Sequence, residues 1–241
     1  MRRGLTTLVL LGIAATANAW TAAADQRIAM KAAQLAPNDL RGLIEKFESD
    51  YKLGVTRAES DEGSGAHRFA PLRNRIERET NGIVGMIRNG RPMSDVVLHL
   101  GILSHYVADA NNPFHVGSGD PRLEADHADY EHYFESRLPK FPTVFYGLDP
   151  KFQLSPYIDS MFARTANFYP LIDEEYFRFG ELHDSSEFDD LSTAFGVASV
   201  CYSRAVTDTV NLYFYIWQKA GGDVRQAPLL RGGNLLLNHA N

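Results

Sequence analysis

The chain has 241 residues, a formal net charge of −6 and a single cysteine. That length suits one well-buried domain or at most two small ones. The acid excess argues against a protein that coats nucleic acid, whose affinity comes from lysine and arginine meeting phosphates, although it leaves room for a nuclease whose cations are metal ions. One cysteine excludes an intrachain disulfide and a structural zinc held by thiolates. Cys201 lies in an apolar helical stretch and reads as a small buried hydrophobe.

In chain order, Met1-Arg2-Arg3, an apolar run from Leu5 to Ala15 and Ala17-Asn18-Ala19 read as a secretory signal peptide over residues 1–19 with an A-x-A cleavage site. The apolar run is too short for a membrane span. The expected destination is secreted or periplasmic, and the expected mature chain begins at Trp20. A first helix is expected from Ala22 to Leu35, stopping before Pro37. Asn38 caps a second, which carries Leu40, Leu43, Ile44 and Phe47 and ends near Gly54. Residues 55–66 read as a polar loop. A third helix places Leu72, Ile76, Ile83, Met86 and Ile87 on one side and ends at Gly90.

Ser94 caps a fourth, from Asp95 to about Ala110, apolar nearly all round as a central helix should be. Asp120-Pro121 opens a helix through about Arg137, and Ser155-Pro156 repeats that start signal. The last long helix is expected from Phe188 to Ala220, closed by Gly221-Gly222, with Leu212 to Trp217 in the core. The predicted organisation is an all-α, single multi-helix bundle of seven to eight helices over residues 20–222, enclosing a multinuclear metal site. Residues 223–241 read as a polar tail. The aromatic stretch Phe141 to Tyr146 suits core packing or, as a second option, a loop touching lipid.

The chemistry concentrates between residues 105 and 131: His105-Tyr-Val-Ala-Asp109, then Pro113-Phe-His115, then His127-Ala-Asp-Tyr-Glu131. His105/Asp109 and His127/Glu131 are i,i+4 pairs, so on helices each pair projects two donors from one face. Imidazoles mixed with carboxylates suit zinc or a similar divalent ion. His115 follows Pro113, where the central helix should stop. One pair alone is an ordinary exposed His–carboxylate contact. Here the helix is otherwise strongly apolar, and burying His105 and Asp109 without partners would cost several kcal/mol, a penalty that a metal removes.

With those residues in view, the chain resembles the zinc-dependent phospholipase C family of the bacterial, phosphatidylcholine-preferring type. The likeness is close over residues 94–135, from Leu100-Gly-Ile-Leu-Ser-His105 through Glu131, and looser over most of the rest. The resemblance implies up to three Zn2+ ions. His105 and Asp109 would bind one with His67 and a carboxylate. Asp109 would bridge to a second ion held by the amine and carbonyl of Trp20. His115, His127 and Glu131 would hold a third.

Two positions depart from the family. A His expected a few residues after the tryptophan is absent, and the matching position holds Asp25, either a substitute ligand or a first-turn acid favoured by the helix dipole. Where the family has an Asp ligand this chain has Glu59, with Asp61 nearby; each is a ligand or part of a solvated acidic loop. The implied function is a secreted zinc phosphodiesterase, a phospholipase C that cleaves head-group phosphodiesters with a metal-activated water, with Glu59 (or Asp61) and Asp109 as the catalytic groups. The expected partners are a phospholipid or other phosphodiester and, transiently, a membrane surface, with no stable nucleic-acid binding and a monomeric chain.

The alternatives are a zinc-dependent single-strand nuclease of the same fold and a helical metal-binding protein that has lost activity. The short spacing from His115 to His127 and the terminal Glu131 favour the phospholipases over the nucleases. An HD-type phosphohydrolase centred on His183-Asp184 would leave the run from His105 to Glu131 unexplained.

Overall fold

The computed structural model describes residues 21–60, 69–117, 126–225 and 235–236, with only the backbone given for Glu59, Ser60, Phe69, Ala70, Leu235 and Leu236. The signal-like segment, Trp20, Asp61 and His67 lie outside the described residues. The protein is all-α: ten α-helices among the described residues, one of them a single turn, pack round one hydrophobic core. They are α1 (Ala22–Leu35), α2 (Asn38–Lys46), α3 (Glu48–Ser60), α4 (Phe69–Arg88), α5 (Met93–Ala110), α6 (Pro113–Val116), α7 (His127–Arg137), α8 (Leu154–Ala166), α9 (Tyr169–Tyr176) and α10 (Thr193–Lys219). None of them is long and apolar enough to cross a membrane.

The helix over 22–35 forms within the expected bounds, and α4 ends as expected, with Gly90 at φ 66 just beyond it. The helix expected from Asn38 to Gly54 is instead two helices, broken at Phe47 (φ −115, ψ 37). The second continues to Ser60, so residues 55–60 are helical and not part of a polar loop. Gly54 does not end a helix. A Cβ there would lie 2.0 Å from the Leu98 carbonyl oxygen, and one on Gly101 would lie 2.2 Å from the Tyr51 carbonyl oxygen. The two glycines face each other's helix and let the α3 and α5 backbones touch. Where the sequence suggests a stop, the fold needs a close approach.

Ser94 lies inside α5, whose N-cap is Pro92, and α10 begins at Thr193 rather than Phe188, with the Ser192 hydroxyl accepting from Phe195 N at 3.1 Å. Helix α9 carries no sequence expectation of its own.

Helix α5 is central and packs against α1, α3, α4 and α10. Tyr51 and Tyr213 meet hydroxyl to hydroxyl at 2.7 Å inside this core, Tyr51 also reaching the Ala29 carbonyl and Tyr213 the Leu100 carbonyl, each at 3.0 Å. The contact joins α1, α3, α5 and α10 at one point. Burial pushes the Tyr51 hydroxyl up to about 12, so it stays protonated.

The stretch after α7 is core packing: Phe141 and Phe145 are buried. It is stitched to α10 by residues one turn apart. Ser203 Oγ accepts from Val144 N at 3.1 Å, Thr207 Oγ1 from Tyr146 N at 3.1 Å, and Asn211 Oδ1 from Asp149 N at 2.8 Å. Val144–Phe145 also pairs in parallel with Leu235–Leu236, which ties two residues of the C-terminal stretch to the body.

Candidate metal centre

Two groups of buried donors form in the described residues: Asp25, His105 and Asp109, and His115, His127 and Glu131, each with its donor atoms within 4.8 Å of one another. The first joins distant parts of the chain. Thr21 caps α1, its hydroxyl accepting from Ala24 N at 3.3 Å, and this start places Asp25 in the first turn, facing inward. His105 and Asp109 lie one turn apart near the end of α5. Asp25 Oδ2 stands 2.9 Å from His105 Nδ1, and Asp109 Oδ2 stands 3.3 Å from His105 Nε2. The three residues are at most 2% exposed. The two nitrogens of one imidazole point away from each other, so one ion can take only one of them. The carboxylate at the other nitrogen can orient the ring, as outer partners of metal-binding histidines do.

The second group is built from neighbouring turns. Helix α5 ends at Ala110, and Pro113 opens the single turn α6, capped by Asn112, whose Oδ1 accepts from Phe114 N at 3.0 Å. This turn carries His115 back toward α7. His127 Nε2 is 2.8 Å and His115 Nε2 is 3.6 Å from Glu131 Oε1, with the two rings edge to face at 4.8 Å. Phe114 lies flat on His127, their rings 5.2 Å apart and 2° from parallel. Burial first, and then the charges of Asp109 and Asp25, push the Glu131 carboxyl up to about 7 against the opposing pull of His115. The two groups therefore share one electrostatic field, because the carboxylates of the first act on the carboxyl of the second.

The chemistry of the donors fits a borderline divalent ion. Nitrogen and oxygen donors predominate, no sulfur is present, and four-coordinate zinc with bonds of about 2.1 Å sets its ligand atoms about 3.4 Å apart. The separation of 3.3 Å in the first group lies near that value, and those of 3.6 and 2.8 Å in the second fall on either side of it, the shorter being a hydrogen-bond distance. Asp25 sits with His105 and Asp109 and is not a solvated first-turn acid. Glu59 lies in the last turn of α3, and its side chain, like Trp20 and His67, falls outside the described residues. Among the described residues His183 and Asp184 belong to neither group: His183 Nδ1 contacts Glu187 at 2.8 Å, and Asp184 accepts from Ser186 N at 2.8 Å.

Two supports were not anticipated from the sequence. Asp208, 1% exposed on α10, accepts from Tyr157 Oη at 2.6 Å, from Arg164 at 2.9 Å and from Asn111 Nδ2 at 3.2 Å. It thereby fixes the end of α5 just beyond Asp109. Asp129, between His127 and Glu131, accepts from Tyr176 Oη at 2.7 Å and from Ser185 N and Oγ, each at 2.9 Å. The available signal was Asp208 itself, a charge in the apolar run of α10.

No family model matches the chain, and no curated protein matches it. Among solved structures it is similar to the alpha-toxin of Clostridium perfringens isolated from avian strain SWCP, with 13% sequence identity and a TM-score of 0.63. The match covers 83% of this chain and 64% of that one, so the chain spans just under two thirds of the toxin's length. At that identity the likeness shows the fold alone, and the fold is the all-α bundle that brings the two donor groups together.

Proposed function

We propose that the protein is an exported, zinc-dependent phosphodiesterase of the phospholipase C type, acting on the head-group phosphodiester of phospholipids. The observation that carries this reading is the pair of buried His–carboxylate groups, close enough to act on one another's charge. The sequence resemblance over residues 94–135 and the fold shared with a clostridial alpha-toxin support it.

In this reading His105, Asp109 and Asp25 hold one ion or orient its ligands, and His115, His127 and Glu131 hold another. Trp20 directly precedes the Thr21 cap, and its amine, freed by processing, would join the centre with its own carbonyl oxygen and His67. Zinc bound there supplies Lewis acidity toward the phosphodiester oxygens and lowers the pKa of water. Glu59 or Asp61 orients the attacking water and takes its proton, and Asp109 serves both as ligand and as orienting carboxylate. The Phe114 ring covers His127, and the buried Tyr130 backs Phe114.

The test is a side-by-side assay of the mature protein on short-chain phosphatidylcholine and on single-stranded DNA. Release of the phosphorylated head group without DNA cleavage is expected. Faster cleavage of DNA would make the protein a nuclease, and bound zinc with no turnover on either would make the centre structural.

A further inference from the structure

Five large apolar side chains are exposed among the described residues, and four of them, Leu171, Phe179, Leu182 and Leu191, fall between residues 171 and 191. Phe179 is 102% exposed and Leu182 is 64% exposed. Phe179 has φ 56, which makes it the one non-glycine residue with positive φ in the described chain. Phenylalanine rarely adopts that backbone region, where glycine or asparagine would sit with less strain. The fold thus holds an aromatic ring out into water on an unfavourable backbone.

The segment is pinned in place. His183 N donates to the Tyr176 carbonyl at 2.8 Å and closes the loop at its neck, and Arg178 contacts Glu175 at 3.7 Å and Glu187 at 3.8 Å. Asp129 ties Tyr176 and Ser185 to the first turns of α7, between two of the candidate ligands. Tyr176 also meets Phe114, the ring stacked on His127, edge to face at 6.4 Å. The loop continues the wall of the metal centre.

We propose that this loop, with Phe179 and Leu182 at its tip, docks the protein on the surface of a zwitterionic phospholipid bilayer. The choice of lipid rests on the reading of the centre as a head-group diesterase, and the charge of the loop supports it. Glu181, Asp184, Glu187 and Asp189 give the segment an acid excess over Arg178, while Asp190 is paired with Lys140 and Arg137. An anionic membrane would repel that rim, whereas phosphatidylcholine presents an outermost quaternary ammonium, which carboxylates and an aromatic face both attract. The apolar tip then enters the interface below.

The experiment compares the full mature protein with a Phe179→Ala/Leu182→Ala double variant. Both are sedimented with vesicles of a phosphonate analogue of phosphatidylcholine, which cannot be hydrolysed, and with phosphatidylserine vesicles. Turnover of a water-soluble phosphodiester is followed in parallel. The wild type is expected to prefer the phosphatidylcholine-type vesicles, and the double variant to bind them about tenfold more weakly with soluble turnover unchanged. Equal binding by wild type and variant, or a preference for phosphatidylserine, would overturn the proposal. So would a wild-type dimer that becomes a monomer in the variant, because the patch would then serve a second copy. Absence of all turnover would overturn the diesterase reading alone; vesicle binding lost in the double variant would still support the docking loop.

Discussion

Asp25, His105 and Asp109 come from α1 and α5, at opposite ends of a long stretch of chain, whereas His115, His127 and Glu131 come from two short elements close together in the sequence. The first group is assembled by the core: it exists only if α1 and α5 pack as they do, and the glycine contact between α3 and α5 fixes the helix that carries His105. The second is assembled by local punctuation, with Asn112 and Pro113 turning the chain so that His115 meets α7. A site made by packing should fail when the core is disturbed. A site made by caps should fail when a turn is disturbed and the core is left intact.

The largest effect is expected from His105→Ala, which removes the centre of the first group. Phosphodiesterase turnover should fall by roughly 10³-fold, within the range for deleting a group that stabilises transition-state charge. His127→Ala should also lower turnover but leave the first group's ion in place. Equal loss of all metal from both variants would merge the two groups into one.

The next effect is on stability against pH in metal-free protein. Glu131 titrates near 7 in the fold against an ordinary 4.5, so the folded state keeps its proton longer than the unfolded chain does. Its contribution is complete below about 4.5 and is lost as pH rises through about 7, a decline of roughly 3 kcal/mol across that window. Urea denaturation of the chelated protein at pH 5 and pH 8 measures it, with Glu131→Gln as the control that lacks the decline. With saturating zinc the trend should reverse, because the ion requires the ionised carboxylate. Metal-free wild-type stability that rises relative to Glu131→Gln over this window would contradict the buried placement of Glu131.

Gly101→Ala should cost about 2 kcal/mol in thermal or urea unfolding, since backbone on the facing helix leaves no room for the methyl. It should weaken the first group before the second. Asn112→Ala should cost about 1 kcal/mol, the usual value of a helix cap, and weaken metal binding at the second group only. A stronger effect of Asn112→Ala on the first group would erase the distinction between them.

The local group was the easier of the two to find in the sequence. The spacing of His127 and Glu131, and of His105 and Asp109, follows from helical geometry alone. Asp25 could not be assigned in the same way. A first-turn acid has the same local pattern whether it faces water or the core, and only packing against α5 distinguishes the two. Gly54 misled for a related reason, because a glycine that ends a helix and one that admits a neighbouring helix look alike in one dimension. The start of α10 at Thr193 is set by the local Ser192 cap, whereas the break at Phe47 has no glycine or proline to mark it. The exposed loop at Phe179 follows no periodic pattern, so nothing in composition marked it.

Zinc analysis of the mature protein beside His105→Ala and His127→Ala tests the central claim most directly. At least two equivalents are expected in the wild type, with each variant losing the ion of its own group and keeping the other. A wild-type protein that binds no zinc, with Asp25, His105 and Asp109 folded as described, would contradict it.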